Sequence, residues 1–545
     1  MSIADHKVTF PQIILLLAIL ILAFLLRLWG IGGLGLPRVG YVDDEPAFAD
    51  AALELLRQDQ LDFSKWRIGA AQIYFQAFLG KIIFAAYNVT PAEIPTYKEI
   101  LSAKKISSHV IGVPYPLPEF YFWGRVSVAI LGGFSVLILY LIGKEIKSNI
   151  VGLISAFFLA VTSLHVEYSH YLIRTVPGLF CLLLTLYLIL LAYLKRKWQL
   201  YLFSSALAYL AVYTKQNNLI ILAPLGLALI MSIWREFQDR PIQEIAKYTM
   251  IIGSVTTVFL ILSWIFLEFN IFASVKDILY RILYNPYLYG GYHFGFSGQD
   301  TSQWLIEQLL LGPSATWKLI TLFAIPGLIL AIQLKEKGWL LLALLLPYLL
   351  MMSLLTVRFL HWLLPVIPIL ALLAALSLEW MYIQISQRKI IKQQYFLAIF
   401  YCMIILIPSA SLRAAITLDY YAGQPDIRNI TSQWLQANLP HGSKVVIDGW
   451  GPYLDSTHHT VVYVPYIGNQ DLQEYLDDQV DYLVLNSINI SRIISAQSDP
   501  RASEIVALQT NRLSQIMQKA SLEQEFVGPA LFNPPIIKVF VYKLE

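Results

Sequence analysis

The chain has 545 residues, of which 57% are hydrophobic and 14% charged, with a net charge of +3 and a mean hydropathy of +0.60. So large an apolar excess excludes an ordinary soluble protein, because the solvent for most of the chain has to be lipid. The basic residues are scattered between apolar runs and give no continuous positive track, which excludes nucleic acid as a partner.

The first apolar run, residues 10–29, is too long for a signal-peptide core and has no small-residue cleavage site after it, so it is expected to stay as a first helix. Further runs long enough to cross a hydrocarbon core of about 30 Å follow at 121–142, 148–166, 176–194, 198–213, 219–234, 248–267, 317–334, 338–356, 360–381 and 395–411. Cys181 and Cys402 fall inside such runs, where a thiol behaves as a small hydrophobe, so neither a disulfide framework nor a cysteine zinc site is expected.

Clustered Lys and Arg recur in every second connection: Lys144 and Lys147, Lys195 to Lys197, Arg235 and Arg240, Lys335 and Lys337, and Arg388 to Lys392. The positive-inside rule puts these and the N-terminus in the cytoplasm. All fall on one side only if a further apolar run, 73–89, does not span but is re-entrant or lies on the surface within a long external loop, 30–120. The expectation is a multi-pass plasma-membrane protein of about eleven spans.

Its all-α membrane part covers 1–411, with juxtamembrane helices in the first external loop, and a small extracytoplasmic α/β domain covers 412–545. Strand-like stretches in that tail are 444–448, 460–465, 482–486 and 536–542, with helix-like stretches at 427–438 and 502–519. No internal repeat is visible.

Residues able to carry chemistry collect on the external side. Asp43, Asp44 and Glu45 open the first loop ahead of Phe48, Ala51, Ala52, Leu55 and Leu56 at helical spacing. One acid before Pro46 would serve as a helix cap; a cluster exceeds that need and suits deprotonation of a hydroxyl or a divalent cation. Glu167 and His170 share a helical face after the third span and suit a metal such as magnesium, manganese or zinc, with Arg174 one turn on.

Lys215 lies in the turn between the fifth and sixth spans, and Arg358 opens the tenth. Lone cations at a membrane boundary either snorkel to water or bind a lipid phosphate, which a guanidinium holds through two oxygens. A Tyr-rich external loop carries Tyr287, Tyr292 and His293, whose rings suit either sugar faces or an interfacial belt.

Together these clusters resemble the GT-C superfamily of glycosyltransferases, in particular the family 39 relatives that include protein O-mannosyltransferases and the aminoarabinose and lipopolysaccharide sugar transferases. The resemblance covers most of residues 30–368. It rests on Asp44-Glu45, on Tyr168 to Pro177, on Thr214-Lys215, and on Arg358-Phe-Leu with Pro365 and Pro368.

It implies a polyprenyl-phosphate sugar donor, inverting transfer and an external acceptor. Asp44 would be the base or a metal ligand, with Glu45 its neighbour, and Arg358 and Lys215 would face the donor phosphate. One departure stands out: the family often has Asp two residues before the Pro of the third-span segment, where this chain has Thr175. The main rival reading is a polytopic transporter or lipid flippase, which would usually place its charges at mid-bilayer and in repeated halves.

Overall fold

The computed structural model describes residues 9–42, 44–58, 70–106, 112–239, 250, 253, 254, 257, 305–311, 316–354, 359–388, 393–496, 503–528 and 537–544. The chain is a multi-pass membrane protein. Among the described residues six helices are long and apolar enough to cross a membrane, or eight if each of two bent pairs counts as one span. Of the expected runs, 248–267 falls almost wholly outside the described residues, and 317–334 is a shorter apolar helix, Lys318–Gln333.

The bundle is built around α1 (Phe10–Leu28), α5 (Glu119–Ile146), α6 (Asn149–Ala160), α8 (Thr175–Lys195) and the helix Ile367–Arg388. Where α5 meets α6 the backbones nearly touch. A Cβ on Gly143 would lie 2.8 Å from the Gly152 Cα, so this close helix contact depends on the two glycines.

The expected straight third span is instead broken. Helix α6 ends at Ala160 and α7 (Ser163–Ser169) leaves at 62°. A helix end inside lipid exposes carbonyls that have no water to turn to. Arg27, fully buried on α1, answers this by donating to the Leu159 and Ala160 oxygens at 3.1 and 3.0 Å, and its Nη2 lies 2.7 Å from His165 Nδ1.

Between α1 and α5 lie the short pair β1 (Arg38–Val39) and β2 (Val113–Pro114), α2 (Glu45–Gln58), α3 (Ala70–Tyr87) and α4 (Tyr97–Ala103). Helix α3 corresponds to the run 73–89; it packs against α2, α5 and α9 (Trp198–Thr214) and is not among the six long apolar helices. Helix α2 is amphipathic as its spacing requires, with Phe48, Ala51, Ala52, Leu55 and Leu56 all buried. Asp50, on its other side, accepts from the Tyr97 and Lys98 amides, yet burial pushes its carboxyl up to about 6.

The tail carries a five-stranded sheet in the order β4-β3-β5-β7-β6, made of β3 (Lys444–Asp448), β4 (Thr460–Val464), β5 (Tyr482–Asn486), β6 (Ser521–Val527) and β7 (Lys538–Lys543). β3, β4 and β5 are parallel, and β7 and β6 antiparallel. Side chains alternate between two cores, as a strand's period of two demands. Val445, Ile447, Val484, Val539 and Val541 lie on the face covered by the tail helix Ile427–Asn438 and belong to one apolar cluster with Val39, Phe48, Tyr97 and Tyr121. Val446, Leu483, Leu485 and Tyr542 face the opposite way. The helix Ser409–Ala422 runs across the expected division at 411, so the membrane part and the tail are joined by continuous helix.

Candidate active site

The acids that open the first loop have different fates. Asp43 lies outside the described residues. Glu45 is fully buried in the first turn of α2 and takes a two-pronged grip from Arg125 on α5, at 2.9 Å from Nε and 2.7 Å from Nη2. Its Oε1 also accepts the Leu172 amide at 2.7 Å. With both oxygens engaged by a buried guanidinium, Glu45 is the anchor of the loop, a different task from the reactive one expected for it. Asp44 is solvent-exposed and acts electrostatically on Arg174, Lys215 and Tyr168, which places all four around one spot.

Each cation has its own support. Arg174 is the N-cap residue of α8, and its guanidinium lies 5.8 Å from the Phe48 ring centroid, one turn beyond Asp44 on α2. Lys215 closes α9 through its amide to the Ala211 oxygen, and the turn it begins is tied to α8 by Asn218, whose amide donates to Gly178 and Ala211 oxygens, both at 2.9 Å. The Lys215 side chain is only 7% exposed, and its ammonium donates to the Thr175 hydroxyl at 3.3 Å. Aspartate at 175 would cancel that charge. Threonine accepts the hydrogen bond and brings no charge of its own.

Arg358 lies outside the described residues, as do Tyr287, Tyr292 and His293. The segment that follows Arg358 reaches the same place. His361 stands with its ring 5.0 Å from that of Tyr168 and feels the charges of Lys215 and Arg174. Tyr348 holds this turn by donating to the Trp362 oxygen at 2.6 Å.

Glu167 and His170, the pair suited to a metal by its spacing, each have their own surroundings. His170 directs Nδ1 at the Val166 oxygen and Nε2 at the Trp29 oxygen, both at 2.8 Å, and Asp419 stands 3.4 Å from Nε2. With a carbonyl oxygen set against each nitrogen, the ring edge already has neighbours where a metal would have to approach. Glu167 is 2% exposed, with the Tyr171 hydroxyl 3.4 Å from Oε1 and, among the described residues, no hydrogen-bond partner for Oε2. Among the described residues no group of three or more His, Cys, Asp or Glu is placed to share an ion.

Reading the sequence missed Arg27 and Arg125, though each was marked by a lone arginine within an apolar run, which is costly in lipid unless it has a partner. His361 and Tyr168 lie within the segments 358–368 and 168–177 that carry the family resemblance, with no role implied for either.

Residues 121–264 match the family model of the dolichyl-phosphate-mannose-protein mannosyltransferases. No curated protein matches the sequence. Among solved structures, the archaeal oligosaccharyltransferase AglB from Archaeoglobus fulgidus, in complex with an inhibitory peptide and a dolichol-phosphate, superposes with a TM-score of 0.52 at 13% identity, over 95% of this chain and 79% of that one. The Archaeoglobus fulgidus oligosaccharyltransferase in complex with Zn and sulfate gives 0.51 at 12%, over 90% and 70%. ArnT from Cupriavidus metallidurans bound to undecaprenyl phosphate gives 0.46 at 11%, over 97% of both chains. At these identities the likeness is one of fold.

Proposed function

We infer from the fold, which is that of the GT-C glycosyltransferases, that this chain transfers a sugar from a polyprenyl-phosphate donor to an extracytoplasmic acceptor, with inversion. The observation that carries the reading is the gathering of one exposed carboxylate, Asp44, and two supported cations, Arg174 and Lys215, from three distant segments at the ends of apolar helices. On the topology set by the charged connections this end is external, and the loop that carries Tyr287, Tyr292 and His293 belongs to the acceptor side.

The chemistry suits these groups. An acceptor hydroxyl attacks the anomeric carbon, its proton passes to the Asp44 carboxylate, and the bond from that carbon to the phosphate oxygen breaks. The phosphate begins as a diester with one negative charge and leaves as a monoester approaching two. Lys215 and Arg174 therefore face more charge in the transition state than in the bound donor, which is the condition for lowering the barrier; the sequence resemblance gives Arg358 the same task. No step is assigned to a metal.

The test is an assay of the purified protein in lipid with labelled polyprenyl-phosphate sugars, with the anomeric configuration of the product determined. Transfer with inversion supports the reading; retention, or solute transport without transfer, overturns it. Lys215→Ala is expected to raise the donor KM about 10- to 100-fold, the worth of a hydrogen bond to a charged group. Measuring initial rates against donor concentration checks this.

A further inference from the structure

Asp44 is exposed, yet it stands between two fixed points. On its C-terminal side Glu45 is gripped by Arg125, and the Glu45 amide closes a turn onto the Val42 oxygen at 3.3 Å. On its N-terminal side the fixed point is Tyr41, and what fixes it comes from the tail. The Tyr41 hydroxyl donates to Asn429 Oδ1 at 2.6 Å, and the Asn429 amide donates to the Gly35 oxygen at 3.2 Å.

The Arg428 guanidinium covers the Tyr41 ring at 3.8 Å and is itself held by both oxygens of Asp426, at 2.8 and 2.7 Å. Below, the ring is enclosed so tightly that a Cβ on Gly35 or Gly112 would come within 2.2 or 2.0 Å of it. A second tail contact secures the start of the same segment. Arg38 donates to the Tyr453 oxygen at 3.4 Å, and Lys104 of the first loop donates to the Tyr453 hydroxyl at 2.6 Å.

We propose that the tail is a positioning element of the reaction, and that Tyr41, locked by Asn429 and Arg428, is the residue through which it holds the Asp44 carboxylate opposite Lys215 and Arg174. The proposal rests on the reading of Asp44 as the base. The inner face of the tail's sheet, on which the tail helix Ile427–Asn438 packs, and the first-loop elements belong to one apolar cluster, and the polar lock adds a defined place for the turn that the Glu45 amide closes onto Val42. Tyr41 is held by Asn429 and Arg428 and, among the described residues, by neither Arg174 nor Lys215, so it acts through the chain it anchors.

The test uses the full-length protein in lipid. Tyr41→Phe keeps the ring and its enclosure and removes only the hydroxyl; Asn429→Ala removes the acceptor; Asn429→Asp restores it. Both Tyr41→Phe and Asn429→Ala are expected to lower kcat about tenfold, the scale of one hydrogen bond, with the donor KM unchanged, and Asn429→Asp to recover part of that loss. Wild-type kcat in Tyr41→Phe, or equal changes in kcat and donor KM, overturns the proposal while leaving the transferase reading intact. Absence of transfer by the wild-type protein removes the transferase reading itself, and the positioning role with it.

Discussion

Replacing Asp44 by Asn is expected to lower kcat for sugar transfer by about 10²- to 10⁴-fold, the usual worth of a general base, without weakening the donor. The asymmetry follows from the charges around it. Asp44 partly offsets Lys215 and Arg174, so the neutral amide leaves a more positive surround, and a phosphate should bind as well as before or better. Asn has nearly the shape of Asp, so the turn between Tyr41 and Glu45 keeps its anchors. Steady-state kinetics over a range of donor and acceptor concentrations check this: kcat collapses while the donor KM stays level or falls. A rise in donor KM with kcat preserved would give Asp44 a binding task in place of a catalytic one.

The second large effect concerns stability. Glu45 and Arg125 form a buried ion pair, 2.7 Å at its shorter contact, with neither side chain more than 1% exposed. Removing one partner strands the other charge in a site that cannot hydrate it, at a cost of about 3–5 kcal/mol. Glu45→Ala also strips the Leu172 amide of its acceptor, so it should lose at least as much as Arg125→Ala. Replacing both with apolar residues of similar volume, Glu45→Leu with Arg125→Met, should cost much less than either single change. Thermal unfolding of the purified variants in detergent measures all three. Singles that melt with the wild type would mean that the pair contributes little to folding.

Much of the membrane part is legible because lipid imposes simple rules. The long apolar runs that became α1, α5 and α8 have no alternative to helix in a medium that satisfies no backbone group. The strands β3 and β5 announce themselves as short apolar runs rich in Val, Leu and Ile, buried on both faces as central parallel strands are. β6 was not foreseen because Ser521–Val527 is an edge strand with mostly exposed, polar side chains, and nothing in such a stretch demands pairing.

The bend after Ala160 was hidden for a different reason. The run stays apolar across it, and the group that makes it tolerable, Arg27, lies 133 residues away from Ala160 in sequence.

The site shows the same division. Asp44, Arg174 and Lys215 could be singled out because an ionisable residue beside an apolar run needs a reason to be there. That Glu45 serves as an anchor could not be read locally, since its partner is Arg125, 80 residues on, and adjacent acids look alike until their surroundings are known. Glu167 and His170 share a helical face in the sequence, but His170 spends both nitrogens on carbonyl oxygens supplied by α7 and by Trp29. Spacing says which residues can face one way; it does not say what will already be waiting there.

The central claim is that two cations from separate segments hold one lipid phosphate, while the carboxylate of a third segment serves the acceptor beside them. Direct binding of polyprenyl phosphate to the purified wild type, Asp44→Asn and Lys215→Ala, in lipid and at fixed ionic strength, tests it. The account predicts unchanged or tighter binding in Asp44→Asn and clearly weaker binding in Lys215→Ala. Equal binding by all three, or weaker binding in Asp44→Asn, would contradict it.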